Sequence, residues 1–314
     1  MRITDQRTGG RIMANVELIA EETGTRLDKY LAQHTELSRT RIQELCEEGR
    51  IMVNHEPAKS SHRLTAGDTI RAEVPEDAEL DVMPENIPLE ILYEDSDIIV
   101  INKPKGMVVH PAPGVNSGTL VNALLYHCRD LSGINGVLRP GIVHRIDKNT
   151  TGCIVACKND NAHREIARQL EEKTCHREYL ALCDGVIDHE EGLIDAPIGR
   201  DPKDRKKMTV TASNSKEART HFTVRERFAK HTLAECRLET GRTHQIRVHM
   251  SYIHHPVTGD DVYGKPCPYM DTQGQVLHAY RLTLIHPSSK EEMTFEAPLP
   301  EYFETLLERI REAE

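Results

Sequence analysis

Residues 16–75 show the apolar spacing of a small domain of helices and strands. Leu27 and Leu31 fall on one face of a helix that begins near Thr25. Ser38 is a suitable N-cap for a second helix, which Gly49 is placed to end. Short strands around turns are predicted at residues 51–54 and 69–71. The segment is therefore predicted to fold as one unit.

From residue 89 onward, apolar runs of strand length mix with helical patterns, without a regular strand–helix–strand repeat. Residues 91–94 and 98–102 flank a turn and predict a hairpin. Asp160 and Asn161 can cap a helix with Ala162 and Ile166 on its buried face. Further strands are predicted at 179–183, at 232–238 and, running into a loop, at 141–147. Residues 89–314 are thus predicted to form an α+β domain with a mixed, largely antiparallel sheet.

Two segments lie outside these domains. Residues 76–88 are acidic and interrupted by prolines, which is typical of a linker. Residues 1–15 are predicted to be a flexible tail, because Met13 followed by Ala-Asn-Val could be the genuine start.

The net charge of −10 argues at first against a nucleic-acid partner, but its distribution changes the picture. Residues 72–98 carry about ten acidic side chains and no Lys or Arg, which accounts for the imbalance. Cations cluster in one short loop, at Arg200, Lys203, Arg205, Lys206 and Lys207. A basic footprint can therefore coexist with an acidic total.

The eight cysteines show neither a CxxC pair nor the spacing of a disulfide framework. No apolar run approaches the length of a membrane span, and residues 1–14 lack the apolar core of a signal peptide. We therefore expect a monomeric cytoplasmic protein with reduced thiols, no membrane association and no structural metal.

Asp147 stands out as a candidate for chemistry. It follows a predicted strand and precedes Thr150-Thr-Gly152, which turns into the next strand. Its backbone should be fixed while its side chain stays accessible, as is common at catalytic loops. An aspartate flanked by His144, Arg145 and Lys148 is more often a surface ion-pair residue than a catalytic one, so position alone does not establish a catalytic role.

Two further segments are rich in polar groups. Arg242, His244 and Arg247 crowd the start of a predicted helix, where cations are unfavourable unless an anion binds there. Tyr179 lies in a predicted strand, where a tyrosine is usually half-buried core. His249, His254 and His255 follow in the same predicted helix region, but a metal site there is disfavoured, because no nearby carboxylate or thiol completes a ligand set. Walker-type, GxGxxG and GxSxG motifs are absent, which weakens nucleotide-hydrolase and esterase interpretations.

Residues 16–75 resemble the small αL-type RNA-binding domain named after small ribosomal subunit protein four. The resemblance runs through Arg26-Leu-Asp-Lys-Tyr-Leu31, Ser38-Arg-Thr-Arg-Ile-Gln43, Gly49-Arg-Ile-Met-Val-Asn54 and Gly67-Asp-Thr-Ile70. On physical grounds, Arg39 and Arg41 in the first turn of the second helix are either solvated cations or a phosphate site. The resemblance favours RNA and implies Arg39, Arg41 and Arg50 as RNA-binding residues.

The rest of the chain resembles the RluA/RluD-type pseudouridine synthases, which modify structured RNA and particularly large-subunit ribosomal RNA. Five motifs carry the resemblance in order: Ile98-Ile-Val-Ile-Asn-Lys-Pro-Lys-Gly106, Gly141-Ile-Val-His-Arg-Ile-Asp147, Arg177-Glu-Tyr-Leu-Ala181, Glu239-Thr-Gly-Arg-Thr-His-Gln-Ile-Arg-Val-His249 and His255-Pro-Val-Thr-Gly-Asp-Asp-Val-Tyr-Gly264. The family usually has Leu at Ile146, a change that conserves volume.

The resemblance implies a role for four residues. Asp147 would be the catalytic aspartate, Tyr179 the aromatic packed against the target uracil, and Arg242 the cation paired with Asp147. Arg145 would help to hold the flipped nucleotide out of the RNA helix.

Uridine isomerisation involves no net oxidation or hydrolysis, so no nicotinamide, metal or nucleotide cofactor is expected. The carboxylate can add to the ribose or the base, or take a proton from the sugar. Two other functions remain open. One is a non-catalytic RNA-binding or ribosome-assembly factor of the same fold. The other is a carboxylate-dependent hydrolase, which would need a second acid or base such as Glu178 or Asp260.

Overall fold

The structure is a computed structural model that describes residues 2–8, 11–35, 37, 39–75, 82–111, 115–128, 130–134, 139–204 and 207–313. The chain divides into two units, Met1–Asp81 and Val82–Glu314. The predicted linker is shared between them: residues 76–81 lie outside the described part, and residues 82–88 belong to the second unit. There Val82 is buried, and the amide of Glu85 donates to the carbonyl of Asn122.

The first unit contains two helices and a five-stranded sheet in the order β1-β2-β5-β3-β4. Its elements are β1 (Arg2–Thr8), β2 (Arg11–Ile19), α1 (Leu27–His34), α2 (Arg39–Glu47), β3 (Ile51–Val53), β4 (Glu56–Pro57) and β5 (Thr69–Pro75). The predicted helices are confirmed, with Leu27 and Leu31 fully buried. Gly49 follows α2 with φ of 72°, the left-handed conformation that ends helices. Ser38, the predicted N-cap, lies outside the described residues.

Part of the predicted tail forms strands. Residues 2–8 are β1 and residues 11–15 begin β2, which pairs antiparallel with β5 over Met13–Ile19, whereas residues 1, 9 and 10 lie outside the described part of the chain. Pairing between strands uses main-chain N–H and C=O groups, which every residue but proline supplies. A segment without a clear apolar pattern can therefore extend a sheet edge.

The second unit is built on a nine-stranded sheet in the order β10-β14-β15-β9-β16-β8-β7-β6, with β17 also paired to β16. Its strands and helices are β6 (Glu90–Glu94), β7 (Ile98–Lys103), α3 (Leu120–His127), β8 (Thr151–Cys157), α4 (Asp160–Glu171), β9 (His176–Asp184), β10 (Glu191–Asp195), β11 (Ile198–Arg200), β12 (Met208–Val210), β13 (Ser215–Lys216), β14 (Arg219–Arg227), β15 (His231–Leu238), α5 (Gln245–Tyr252), β16 (Leu277–Ile285), β17 (Glu292–Glu296) and α6 (Glu301–Ala313). Strands β11, β12 and β13 form a separate three-stranded sheet. The predicted α+β class, with mainly antiparallel pairing, is confirmed.

The central strands are buried on both faces. Along β7, Ile99 and Ile101 join one core with α3 and α5, whereas Ile98 and Val100 join another core with α4. Successive side chains of a strand point to opposite faces, so an uninterrupted apolar run fits a sheet covered on both sides. Tyr179 of β9 belongs to the first core, on the face covered by α3 and α5.

Two local predictions needed correction. Residues 143–147 are an irregular segment rather than a strand, with a single bridge between Ile142 and Ala156. Helix α4 is capped by Asn159, whose side chain accepts from the amide of Ala162, rather than by Asp160 or Asn161.

Strand β16 joins the two halves of the sheet close to Asp147. It pairs antiparallel with β9 but parallel with β8, and the parallel register spans only His278↔Thr151 and Ala279↔Gly152. Gly152 has φ of 107°, and a Cβ there would lie 2.2 Å from the carbonyl oxygen of Ala279. Glycine therefore permits the close approach of the two strands. None of the helices in the described part of the chain has the length and apolar composition needed to span a membrane.

Candidate active site

The segment that carries Asp147 is fixed by hydrogen bonds at both ends. Before Asp147, the imidazole Nε2 of His144 accepts from the amide of Val155 in β8, at 3.1 Å. Burial lowers the pKa of His144 to about 3, so the ring stays neutral and keeps this acceptor. After Asp147, the amide of Thr150 donates to the Asp147 carbonyl at 3.1 Å. These hydrogen bonds thus fix the backbone of an irregular segment that is not paired as a strand.

Lys103 forms a second anchor. Its side chain is fully buried, and Nζ donates to the carbonyls of Pro104, Met107 and Lys148 at 2.8, 2.9 and 3.0 Å. Burial lowers the pKa of Lys103 to about 7, and the nearby Asp147 carboxylate opposes that shift. Lys103 therefore ties the end of β7 to the residue directly after Asp147. Sequence reasoning did not single it out, although it lies in one of the five motifs.

The cation paired with Asp147 is Arg247. Its Nη1 donates to Oδ2 of Asp147 at 3.0 Å, while Nε and Nη2 donate to both carboxylate oxygens of Asp260 at 2.6 and 2.8 Å. The Arg247 side chain is 5% exposed, that of Asp260 0% and that of Asp147 17%. Burial alone would lower the pKa of Arg247, but Asp260 and then Asp147 raise it above the usual value. The permanently charged guanidinium of Arg247 is thus held by the buried Asp260 and binds the more accessible Asp147.

The predicted pairing of Arg242 with Asp147 is wrong. Nε of Arg242 donates to the carbonyl of Glu217 at 2.8 Å, and its amide donates to Oε1 of Gln245 at 2.9 Å. Arg242 lies before α5, whereas Arg247 lies within it and is buried. Whether Arg242 binds substrate stays a prediction.

Asp260 does not serve as a free acid or base. Besides Arg247, it accepts the amides of Val262 and Tyr263 at 2.9 and 3.1 Å. Glu178, the other candidate for a hydrolase, is bound by Nη1 of Arg281 at 3.2 Å. It also neighbours Tyr179 in β9, so its side chain points to the opposite face of the sheet.

Tyr179 is 5% exposed and packs in the same apolar core as Ile146, the residue before Asp147. Burial raises the pKa of Tyr179 to about 12; the Asp147 carboxylate adds to this shift and Arg177 opposes it. The phenol is therefore neutral, and its ring is placed by the core beside the Asp147 segment.

Arg145 is exposed, and its Nη1 lies 3.4 Å from Nε2 of His110. Burial lowers the pKa of His110 to about 4, assisted by the charges of Arg139 and Arg145. A neutral imidazole thus contacts the guanidinium of Arg145 without cancelling its charge.

In the first unit, two of the predicted RNA-binding arginines have acidic partners. Nη2 of Arg39 donates to Oδ2 of the fully buried Asp28 at 2.9 Å, and Nε of Arg50 donates to Glu48 at 2.9 Å. Hydrogen bonds from Arg26, and then from Arg39, hold the pKa of Asp28 well below its usual range despite burial. The side chain of Arg41 lies outside the described part of the chain. RNA binding by these residues stays a prediction.

Several of the possible metal ligands have hydrogen-bond partners within the chain. His249 is bound at both ring nitrogens, by the Thr220 hydroxyl and the Ala196 carbonyl. In the described part of the chain, one group could hold an ion: Glu94, His127 and Cys128. Glu94 there is hydrogen-bonded to His127 at 2.8 Å and to Lys158 at 2.9 Å. All eight cysteines are free thiols.

Known proteins resemble this chain over both units. Residues 25–70 match the S4 domain, and residues 97–252 match the family described as RNA pseudouridylate synthase. An uncharacterised RNA pseudouridine synthase of Bacillus subtilis is 53% identical over 292 residues, which is 93% of this chain and 96% of that protein. Ribosomal large subunit pseudouridine synthase D of Neisseria meningitidis serogroup A is 45% identical over 97% of this chain and 83% of its own length.

A solved structure agrees with these sequence matches. Human RNA pseudouridylate synthase domain containing 4 superimposes with a TM-score of 0.56 at 25% identity, over 71% of this chain and 93% of that one. The Asp147 segment and the strands from β7 to β15 lie within the matched family region, whereas β6, β16 and β17 lie outside it. The chain therefore belongs to the RNA pseudouridine synthases, a family of isomerases, and carries an S4 domain ahead of its catalytic domain.

Proposed function

We propose that this protein converts specific uridines of large-subunit ribosomal RNA to pseudouridine and that Asp147 is the catalytic carboxylate. The observation that carries the proposal is the Asp147–Arg247–Asp260 ion-pair chain, in which only Asp147 is accessible. A relative named as a large-subunit enzyme, similar over 97% of this chain, supports the choice of RNA. The S4 domain supplies a separate surface for folded RNA. We expect a monomer that acts in the cytoplasm without a cofactor.

The reaction breaks the bond from ribose C1′ to uracil N1, rotates the base and joins C1′ to C5, from which a proton leaves. A carboxylate that adds to the sugar or base, or removes a sugar proton, must be ionised and close to the ribose. Arg247 binds Oδ2 of Asp147, so Oδ1 is the oxygen that would act on the nucleotide. Tyr179 would pack against the uracil, and Arg145 would help to keep the nucleotide unstacked.

The test is uridine isomerisation on large-subunit ribosomal RNA by wild-type protein and by Asp147→Asn, which keeps the shape of the side chain. We expect Asp147→Asn to lose activity at least about a thousandfold while remaining folded. Asp261→Asn is the matched control, because Asp261 also lies 3.6 Å from Arg247 but is 69% exposed. It should retain activity within about threefold. Wild-type turnover by folded Asp147→Asn protein would overturn the assignment.

A non-catalytic assembly factor is the alternative. It predicts RNA binding with no new pseudouridine when wild-type protein is restored to cells that lack it. Release of free uracil would instead indicate a hydrolase.

A further inference from the structure

His244 adopts a left-handed backbone conformation, which is uncommon for residues other than glycine. It precedes α5 with φ of 55° and ψ of 23°, in the left-handed region, and its side chain makes no capping hydrogen bond. Thr119 and Asn159, which precede α3 and α4, are extended and do cap their helices. Strain of this kind persists where the surroundings hold a side chain in a particular place.

A hydrogen-bond chain determines which imidazole nitrogen carries the proton. The amide of Met208 donates to Oη of Tyr263 at 2.9 Å, and Oη lies 2.9 Å from Nδ1 of His244. Burial raises the pKa of Tyr263 and lowers that of His244, so the phenol keeps its proton and the imidazole is neutral. These are the two partners of Oη among the described residues, so its proton goes to Nδ1. The remaining ring proton is therefore on Nε2.

The Nε2–H group faces the accessible oxygen of Asp147. Nε2 lies 3.9 Å from Oδ1, while Oδ2 is bound to Arg247. That separation is too long for a direct hydrogen bond. It admits an oxygen atom that contacts both groups, and the side chains of His244 and Asp147 are 20% and 17% exposed, so the gap is open to a ligand.

The two groups select for a hydroxyl. An oxygen in the gap must accept from Nε2–H and face the lone pairs of a carboxylate. A carbonyl oxygen would be repelled by Oδ1, whereas a hydroxyl accepts from Nε2–H and donates to Oδ1. Within an RNA chain, the 3′ and 5′ oxygens are esterified, so the free ribose hydroxyl is the 2′-hydroxyl.

We propose that His244 and Asp147 together hold the 2′-hydroxyl of the target uridine and that His244 makes the enzyme selective for ribose over deoxyribose at that nucleotide. Tyr263 is a positioning residue, because it sets the proton of His244. The inference rests on the proposed function, since it takes the nucleotide bound at Asp147 to be a uridine of RNA.

The experiment compares two RNA substrates that differ only at the target nucleotide, one with uridine and one with 2′-deoxyuridine. Turnover of each is measured with wild-type protein and with His244→Asn. Asparagine tolerates the left-handed conformation, so this variant should fold, but its shorter side chain does not reach the gap. We expect wild-type protein to turn over the deoxy substrate about 10-fold to 100-fold more slowly.

His244→Asn should be slowed to a similar extent on the ribose substrate, and its ratio between the two substrates should fall to about threefold or less. Tyr263→Phe should reduce the ratio partially. The control is His254→Ala: His254 is an exposed histidine that is also left-handed, with φ of 67°, just after α5. It should keep the wild-type ratio.

A purely structural role for His244 predicts that the asparagine variant slows both substrates equally, and this outcome would overturn the inference. Equal turnover of both substrates by wild-type protein would also overturn it. If wild-type protein turns over neither the paired substrates nor intact ribosomal RNA, the proposed function is refuted, and the inference falls with it.

Discussion

Replacing Arg247 by methionine should destabilise the catalytic unit far more than the same change at Arg242. Arg247→Met leaves the fully buried Asp260 without the guanidinium that bonds both of its oxygens, and Asp147 without its cation. Removing one partner of a buried ion pair costs about 3–5 kcal/mol, because the other charge stays buried and uncompensated. Arg242 makes one side-chain hydrogen bond to a carbonyl and is partly exposed, so its loss should cost about 1 kcal/mol.

The assay is equilibrium unfolding in urea. The chain has no tryptophan, so far-UV circular dichroism is the suitable probe. With a urea dependence of about 3 kcal/mol per molar, Arg247→Met should lower the midpoint of the catalytic unit by about 1–1.7 M and Arg242→Met by about 0.3 M. Arg247→Lys should fall between them, because one ammonium cannot span two carboxylates as the planar guanidinium does.

If Arg242→Met and Arg247→Met lower the free energy of unfolding by similar amounts, this reasoning is refuted, because the exposure and the hydrogen bonds of the arginine would then not determine the loss of stability. A second check is the double-mutant cycle of Asp147→Asn with Arg247→Met. It should show a coupling energy of about 1 kcal/mol or more, whereas the cycle with Arg242→Met should show almost none.

Three further changes follow from the contacts of the Asp147 segment. Gly152→Ala should destabilise the catalytic unit by about 3 kcal/mol or more, because the new Cβ would lie 2.2 Å from the Ala279 carbonyl oxygen. The control is Gly106→Ala: Gly106 has φ of 83° but open space around it, so this change should cost about 1 kcal/mol in the same urea titration. Burial lowers the pKa of His144 from 6.5 to about 3, so between these values the unfolded chain binds a proton that the folded chain does not. The free energy of unfolding should therefore fall as the pH drops below about 6.5. The urea midpoints at about pH 7 and pH 5 should differ less in His144→Gln than in wild-type protein. An unchanged difference would contradict the assignment of this pH dependence to His144. Lys103→Met should lower kcat about 10-fold, because it releases the carbonyl of Lys148, the residue after Asp147. Thermal unfolding of the same variant shows whether it is folded, and an unchanged kcat in folded protein would exclude an anchoring role.

The fold class and several elements of both units were predictable where the apolar pattern is strong. The helix with Leu27 and Leu31 buried and the hairpin of β6 and β7 rest on local periodicity, which the structure retains. The segment before Asp147 was predicted as a strand running into a loop. It is instead held by side-chain and carbonyl contacts that only the tertiary structure supplies, such as the bond between His144 and β8.

The site was predictable as a set of segments but not as a set of contacts. Arg242 and Arg247 lie in the same motif, and their spacing does not indicate which of them turns inward. The left-handed conformation of His244, directly before α5, precedes the turn of helix that buries Arg247. A positive φ at a histidine has no sequence signature, so the correct partner of Asp147 required coordinates.

The order of strands in the large sheet has a consequence for synthesis of the enzyme. Asp147 and Arg247 are 100 positions apart, and the two half-sheets around them are joined by β16, whose residues follow both. At translation rates of about 5–20 residues per second, residue 285 is added roughly 7–28 s after residue 147. Pairing across such separations also slows folding, because loop closure precedes the contacts that stabilise it. A growing chain therefore contains Asp147 well before β16 is available to join the two half-sheets around it.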